Sequence, residues 1–378
     1  MPIYFGKNSR VLLLLSALFF TTGISAEQDK PLIHVKIGLL ESLSPTAPSS
    51  SERYKRLYES TLYYAIGEND RKLNQCGYKL TANISYFDTF DALDLLENAK
   101  QVRKTEPWLV IGPRRSGHIK TALTIIDDTP TISTMANSDT VLNNTPHLFS
   151  MYPTTSSLAK VMVQEVKNRN YGTTYGIIVD ARCQSCVEFS KNFQIENPRH
   201  QPLFYISVGD NTPDIKKLIS NIQTLKPDYL VIPNYSELSG YIISETQRIN
   251  PNLKYVGADG WGEDTFSFIQ GYNIHPNTMG MAVRFGVKKE EKSNFYDAHS
   301  LEREIDGSLV TPPYSIYSLV SMIRTLTDDL CKTKPINKNE FKKYLLQQSK
   351  THFQTETQYS IYHLQNGKII FSNYVKTS

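Results

Sequence analysis

From residue 34 the chain alternates short apolar runs rich in β-branched residues with stretches whose apolar positions recur every three or four residues. The run HVKIGLL (34–40) is followed by a segment in which Tyr54, Leu57, Tyr58, Thr61, Leu62 and Ala65 share one helical face,. YKLTANISYFD (78–88), a helix from about Asp91, WLVIGP (108–113), a helix from Ser116 and TPTIST (129–134) continue the alternation. Strands that alternate with helices predict a parallel sheet covered on both faces.

The pattern restarts after HLFSMYP (147–153). A helix from Thr154 leads to TYGIIVD (174–180), LFYISVG (203–209), YLVIPN (229–234) and LKYVGADG (253–260), with helices between them. MGMAVRFG (279–286) precedes a long helix, PPYSIYSLVSMIRTLTDDLC, and the chain closes with a predicted hairpin turning at Asn366-Gly367,. Two units of similar build predict two α/β lobes. The tail pieces are too small to fold alone, so each is expected to complete a lobe, and several crossings between lobes make a hinge. The expected partition is residues 32–152 with 282–350 for the first lobe and 153–281 with 355–378 for the second. The length of 378 residues agrees, since it exceeds what one hydrophobic core usually fills,.

The first 26 residues break the pattern. Lys7 and Arg10 precede the apolar run Val11–Phe20, and small residues stand at Ser25-Ala26, the three zones of a secretory signal,. Cleavage is expected after Ala26. The run falls short of the roughly 20 residues that cross a bilayer, so membrane insertion is not expected, and no cysteine follows it to carry a lipid. The expected product is exported, in a bacterium to the periplasm. Lys7 and Arg10 leave with the signal, so 41 basic residues against 37 acidic become 39 against 37. A near-neutral chain gives no reason to expect nucleic acid as a partner.

In doubly wound sheets ligands sit beyond the carboxyl ends of the strands, where helix N-termini converge. The third strand ends in Arg114, Arg115 and Ser116, and the fourth in Thr134, Met135, Ala136, Asn137 and Ser138. Ser116 and Asn137 are helix-capping residue types, so capping alone explains them as well as contact with a ligand carboxylate does. In the second unit the equivalent places hold DARCQSC (180–186), PNYSE (233–237) and GADGWGED (257–264). There Asp259 is either an ordinary turn aspartate or the partner of a ligand ammonium. Tyr235 and Trp261 are either cleft walls or core.

Taken in order, KIGLLESLSP, YFDTFDALDLLENAKQV, LVIGPRRSGHIKTA, PTISTMANSDTVL, HLFSMYPTTSSLAKVM, YLVIPNYSELSGYI and YVGADGWGED resemble type I periplasmic binding proteins, the leucine/isoleucine/valine-binding branch of ABC-transporter solute receptors. The resemblance implies a two-lobed clamshell of doubly wound parallel sheets joined by a multi-strand hinge. It implies a small-molecule ligand, an inner-membrane ABC permease as partner, no catalysis and no cofactor. In this family the ligand carboxylate is received by residues matching Ser116 and Asn137, with backbone groups of Met135 and Ala136 beside them. The ammonium is held by an acid matching Asp259, with an aromatic matching Tyr235 nearby, or Asn234 if the register slips by one.

Three positions depart from the family. Gln184-Ser185 stands where an aromatic-Gly pair is usual, making that wall polar. Asn137 replaces a Ser or Thr. Arg114 and Arg115 precede the serine where small or apolar residues are usual. A guanidinium suits a second carboxylate, so an inward arginine, with Arg115 the better candidate, implies an acidic or polar ligand. Otherwise the arginines face solvent or pair with acids of the other lobe. Gln184 and Trp261 complete the expected side-chain pocket.

Four cysteines in an exported chain favour disulfides,. Related extracellular clamshells often bridge two first-lobe elements corresponding to those carrying Cys76 and Cys331, which implies that pair. Cys183 and Cys186 spell CQSC at a strand-to-helix junction and are expected to form a local structural bridge; a thiol oxidoreductase is the weaker alternative. The eight histidines are scattered, so no metal is expected,. No GxSxG or GxxxxGK[ST] pattern supports hydrolysis. A periplasmic sensor or regulatory subunit on the same fold is the remaining alternative to transport.

Overall fold

β1 (Ile33–Leu43) is buried along most of its length because it is an interior strand, with β2 (Tyr78–Asp88) on one side and β3 (Leu109–Ile111) on the other. The structure is a computed structural model that describes residues 31–43, 48–209, 215–261, 274–275, 277–285, 314–354, 358–365 and 368–376. The expected signal segment and the turn at Asn366-Gly367 lie outside the described residues. β4 (Thr131–Ser133) and β5 (Leu148–Ser150) complete a parallel sheet of order β2-β1-β3-β4-β5.

The helices between these strands are stopped and started by local chemistry. The Asp91 carboxylate accepts the N–H groups of Leu93 and Asp94 and so starts α2 (Ala92–Lys104), supplying partners for donors that the helix leaves open,. Thr154 does the same for α5 (Thr155–Asn168) through the N–H of Ser157. α1 (Pro48–Cys76) packs Tyr58, Leu62 and Ala65 against Ile37 and Leu39, the face that the three- and four-residue spacing had predicted.

The second sheet runs β12-β11-β10-β9-β8-β6-β7. β6 (Tyr175–Asp180), β7 (Phe204–Val208), β8 (Tyr229–Val231), β9 (Lys254–Val256) and β10 (Met279–Phe285) are parallel, and the hairpin β11 (Gln358–Gln365) and β12 (Lys368–Lys376) adds two antiparallel strands. β10 belongs to this sheet as far as Phe285, four residues beyond the expected end of the second lobe at 281, because Gly280–Phe285 pair with β11.

The next described element after β10 packs with the first sheet. There the helix Tyr314–Thr333, labelled α9 after α6 (Gln184–Glu196), α7 (Ile215–Leu225) and α8 (Ser236–Gln247), packs on α1 through Leu319, Met322, Ile323, Leu326 and Leu330. α10 (Lys338–Leu345) adds Phe341 and Leu345 to the same core. Lys350 then donates to the carbonyls of Thr145, Pro146 and Leu148 at the foot of β5, and Phe353 meets Phe149 edge-on at 5.8 Å between ring centroids. β11, the next described element after Gln354, belongs to the second sheet.

Cys76 at the end of α1 and Cys331 in α9 are bridged, with their Cα atoms 5.3 Å apart. Cys183 and Cys186 are also bridged, at 5.2 Å. Both spacings suit unforced disulfide geometry.

Candidate functional site

After β3 the backbone turns at Gly112, whose φ of 86° and 2.2 Å approach of a would-be Cβ to the Leu40 carbonyl oxygen leave no room for a side chain,. The tight turn sets Arg115 as the residue before α3 (Ser116–Ile126), and no side chain caps that helix. Ser116 is therefore the first helical residue rather than the cap. The loop after β4 is folded back onto this turn by Ser133, whose hydroxyl donates to the Pro113 carbonyl at 2.9 Å and accepts the Ala136 N–H at 2.9 Å. Ser138, not Asn137, caps the short helix α4 (Asp139–Asn143) that follows.

The side chain of Asn137, not used as a cap, and the hydroxyl of Ser116 thus face the same space. It is a cleft of about 180 Å³, lined from the first sheet by Arg114, Arg115, Ser116, Met135 and Asn137. From the second sheet it is lined by Ser185, Tyr235, Asp259 and Gly260. Contacts between described residues join the walls directly. Asn137 Nδ2 donates to Asp259 Oδ2 at 2.9 Å. The Arg115 guanidinium lies over the Tyr235 ring, 5.2 Å from its centroid. Ser116 Oγ accepts the Ser138 N–H at 3.2 Å, an interaction that leaves the hydroxyl proton to be donated elsewhere,.

The two arginines have different duties. Arg114 Nε donates to Glu41 Oε1 at 2.6 Å, its Nη2 reaches the Ser42 carbonyl at 3.1 Å, and its guanidinium stacks 4.4 Å from the Tyr54 ring. Glu41 sits at the end of β1 and is fully buried. Burial pushes its carboxyl pKa up, and the Arg114 charge and the Ser42 N–H only partly offset this. Burial also works against the Arg114 charge, but the Glu41 carboxylate outweighs it and holds the guanidinium protonated. The acid that pairs with an arginine therefore comes from the first lobe and not, as the sequence alternative had it, from the other lobe. Arg115 is exposed and has no acidic partner among the described residues.

Several expected lining residues lie elsewhere. Trp261 is fully buried in the second core; its ring covers Gly257 and its Nε1 donates to Ser239 Oγ at 2.9 Å. Gln184 turns along α6 and donates to Glu188 at 2.7 Å, so its neighbour Ser185 lines the cleft instead. Ala136 has both backbone groups occupied, its N–H by Ser133 and its carbonyl by Ser150 Oγ. Asn234 is buried and ties β8 to β6 by accepting the Asp180 N–H and donating to the Ile178 carbonyl. Tyr235 holds the expected register. Arg114 and Gly260 also reach the cleft; the adjacent arginines and the glycine-flanked acid were the available sequence signals.

Beside the cleft, α4 and α6 are tied together. Ser138 Oγ donates to Glu188 Oε1 at 2.8 Å, and Asn192 Nδ2 donates to Asp139 Oδ2 at 3.1 Å. The CQSC bridge begins α6, with Cys183 accepting the Cys186 N–H, and both sulfur-bearing residues are buried. Buried cysteines held as a helix cap suit a structural bridge better than thiol exchange, which needs an accessible sulfur. Among the described residues no group of three or more His, Cys, Asp or Glu gathers as a metal would require, and no helix is long and apolar enough to cross a membrane.

No protein-family model and no curated protein sequence matches the chain. Solved structures do match in shape. A branched-chain amino acid transporter substrate-binding protein of Streptococcus pneumoniae, in complex with isoleucine, aligns with a TM-score of 0.69 at 15% identity over 91% of this chain and 100% of that one. An ABC-transporter solute-binding protein of R. palustris in complex with benzoate gives 0.68 at 13% identity, over 92% and 98%. A type 1 periplasmic binding protein of Bordetella pertussis gives 0.69 at 14%, over 90% and 100%. The fold is accordingly that of type I periplasmic binding proteins.

Proposed function

We propose that the chain is an exported solute-binding protein that captures an α-amino acid in this cleft by hinge closure and delivers it to an ABC permease. The observation that carries the reading is the facing of two opposite seats across the cleft. On one wall is the uncapped N-terminus of α3 with the Ser116 hydroxyl; on the other is the Asp259 carboxylate. Helix N-terminal N–H groups and a hydroxyl suit a carboxylate, and an aspartate suits an ammonium. A zwitterion answers both, and neighbours of the same fold hold isoleucine and benzoate.

The two seats belong to different sheets. A ligand that fills both therefore binds the closed arrangement better than any open one, and shifts the population toward it by that difference. The Asn137–Asp259 hydrogen bond positions the acid for the ammonium while closing the gap between the walls. There is no covalent step.

The test is a thermal-shift screen against the common amino acids and against small aromatic and aliphatic acids, followed by calorimetry on the hits. A ligand at 100 times its Kd raises stability by about 2.7 kcal/mol, well within reach of a melt. Asp259→Ala is expected to weaken amino-acid binding about 30-fold or more, the loss when one partner of a buried charge pair is truncated. Unchanged affinity would remove Asp259 from the ammonium seat and the amino-acid reading with it.

A further inference from the structure

We infer that the amino acid held in this cleft carries a second anionic group on its side chain, and that Arg115 selects it. The inference rests on the amino-acid reading above and deepens it. Three observations lead to it.

The first is the charge left over. Arg114 is answered within its own lobe by the buried Glu41 at 2.6 Å. His118, two residues into α3, adds no charge at neutral pH, since burial, and after it the Arg115 charge, lower its pKa to about 4. Among the described residues lining the cleft this leaves one cation without an acid, Arg115, and one acid, Asp259. The ring of Tyr235 attracts the guanidinium but does not neutralise it.

The second is where that cation lies. Arg115 starts α3, yet its guanidinium extends over Tyr235 on the opposite wall, 5.2 Å from the ring centroid. The guanidinium thus reaches the second-sheet wall, whereas the α3 N–H groups and Ser116 make an anion seat on the first-sheet wall. Among its described lining residues the cleft then offers two seats for anions and one for a cation.

The third is the balance of donors and acceptors. With Arg114 answered by Glu41 and Asn137 Nδ2 by Asp259, Arg115 and Ser116 still bring donors to the cleft, whereas Asp259 is the one carboxylate among its described lining residues. A branched aliphatic side chain would cover the Arg115 guanidinium without offering it an oxygen, leaving a desolvated donor unpaired. A side-chain carboxylate, or another terminal anion, accepts from Arg115 in the forked geometry that guanidinium favours.

The experiment is calorimetry on the mature chain with L-glutamate, L-aspartate, L-leucine and glutarate, repeated on Arg115→Gln and Arg115→Lys. Arg115 is exposed, so neither substitution threatens folding. One acidic amino acid should bind more tightly than leucine. Arg115→Gln should weaken it roughly 10- to 100-fold while changing any leucine binding far less, and Arg115→Lys should restore part of the loss. Leucine binding as tightly as both acidic amino acids overturns the inference and leaves the amino-acid reading standing. So does equal loss for acidic and neutral ligands in Arg115→Gln. Glutarate binding while no amino acid does would instead overturn the reading of Asp259, and the inference with it.

Discussion

Replacing Arg114 with methionine should cost stability in a way that depends on pH. Glu41 has no solvent exposure, and its Oε1 receives Arg114 Nε at 2.6 Å and the Ser42 N–H at 2.8 Å, while its Oε2 has no hydrogen-bond partner among the described residues. Without Arg114 the carboxylate keeps only Ser42. Two charges about 4 Å apart at an effective dielectric near 20 attract by about 4 kcal/mol, and breaking buried ion pairs typically costs about 3–5 kcal/mol. At pH 8 the variant should melt lower by on the order of 10 °C.

Acid should relieve this. Burial already raises the Glu41 pKa, with Arg114 pulling it back, so in the variant it rises further. Between the unfolded value of 4.5 and that raised value the folded state binds the extra proton, and the variant's stability grows as pH falls,. Melts of the wild type, Arg114→Met, Glu41→Gln and the double variant at pH 8 and pH 5 provide the check. The deficit of Arg114→Met should shrink at pH 5, and the double variant should recover most of it at pH 8. An equal deficit at both pH values, or a double variant no better than Arg114→Met, would refute the account of Glu41 as a charge that Arg114 makes tolerable.

His118 gives a second pH signature. Its folded pKa of about 4 lies below the ordinary 6.5, so the unfolded chain takes up the proton first, and the stability present above pH 6.5 is lost as pH falls toward 4,. The loss is at most about 3 kcal/mol; His118→Gln should flatten that part of the urea-midpoint profile, and parallel profiles would exclude the histidine as its source. The two disulfides should differ in weight. In the loop-closure model the bridge between Cys76 and Cys331, 255 residues apart, contributes about 5 kcal/mol and the CQSC bridge about 2,. Paired Cys→Ser variants should therefore show a larger drop in melting temperature for the first, and the reverse order would contradict the model.

The order of strands and helices was legible because each element carries its own periodicity, and strand ends carried the candidate site because a parallel sheet presents them together. Ser116, Asn137, Tyr235 and Asp259 were reached that way, and all four line the cleft. Periodicity does not report rotation about a helix start, so Gln184 was preferred to Ser185, although the side chain of Gln184 runs along α6 to Glu188. Nor does it separate an aromatic that walls a cleft from one that fills a core. Trp261 went inward because Gly257 leaves space beneath its ring and Ser239 accepts its N–H. The division of labour between Arg114 and Arg115 was hidden for another reason: Glu41 lies 73 residues away, and only the pairing of β1 with β3 brings the two together. β10 has no breaker at 282 and keeps its pairing with β11 to Phe285, past the lobe boundary expected there.

The placement of the cysteines also bears on how the chain acquires its bridges. In an oxidising compartment entered N-terminus first, the Cys76 thiol arrives 255 residues ahead of Cys331, with Cys183 and Cys186 arriving between them. Either of those would be a wrong partner. Yet the two are three residues apart, and a loop that short closes with far less entropy loss than one of a hundred residues or more,. They can pair with each other as soon as both are out, which withdraws the competing thiols before Cys331 appears. In such a compartment the order of emergence would favour Cys76 meeting its native partner.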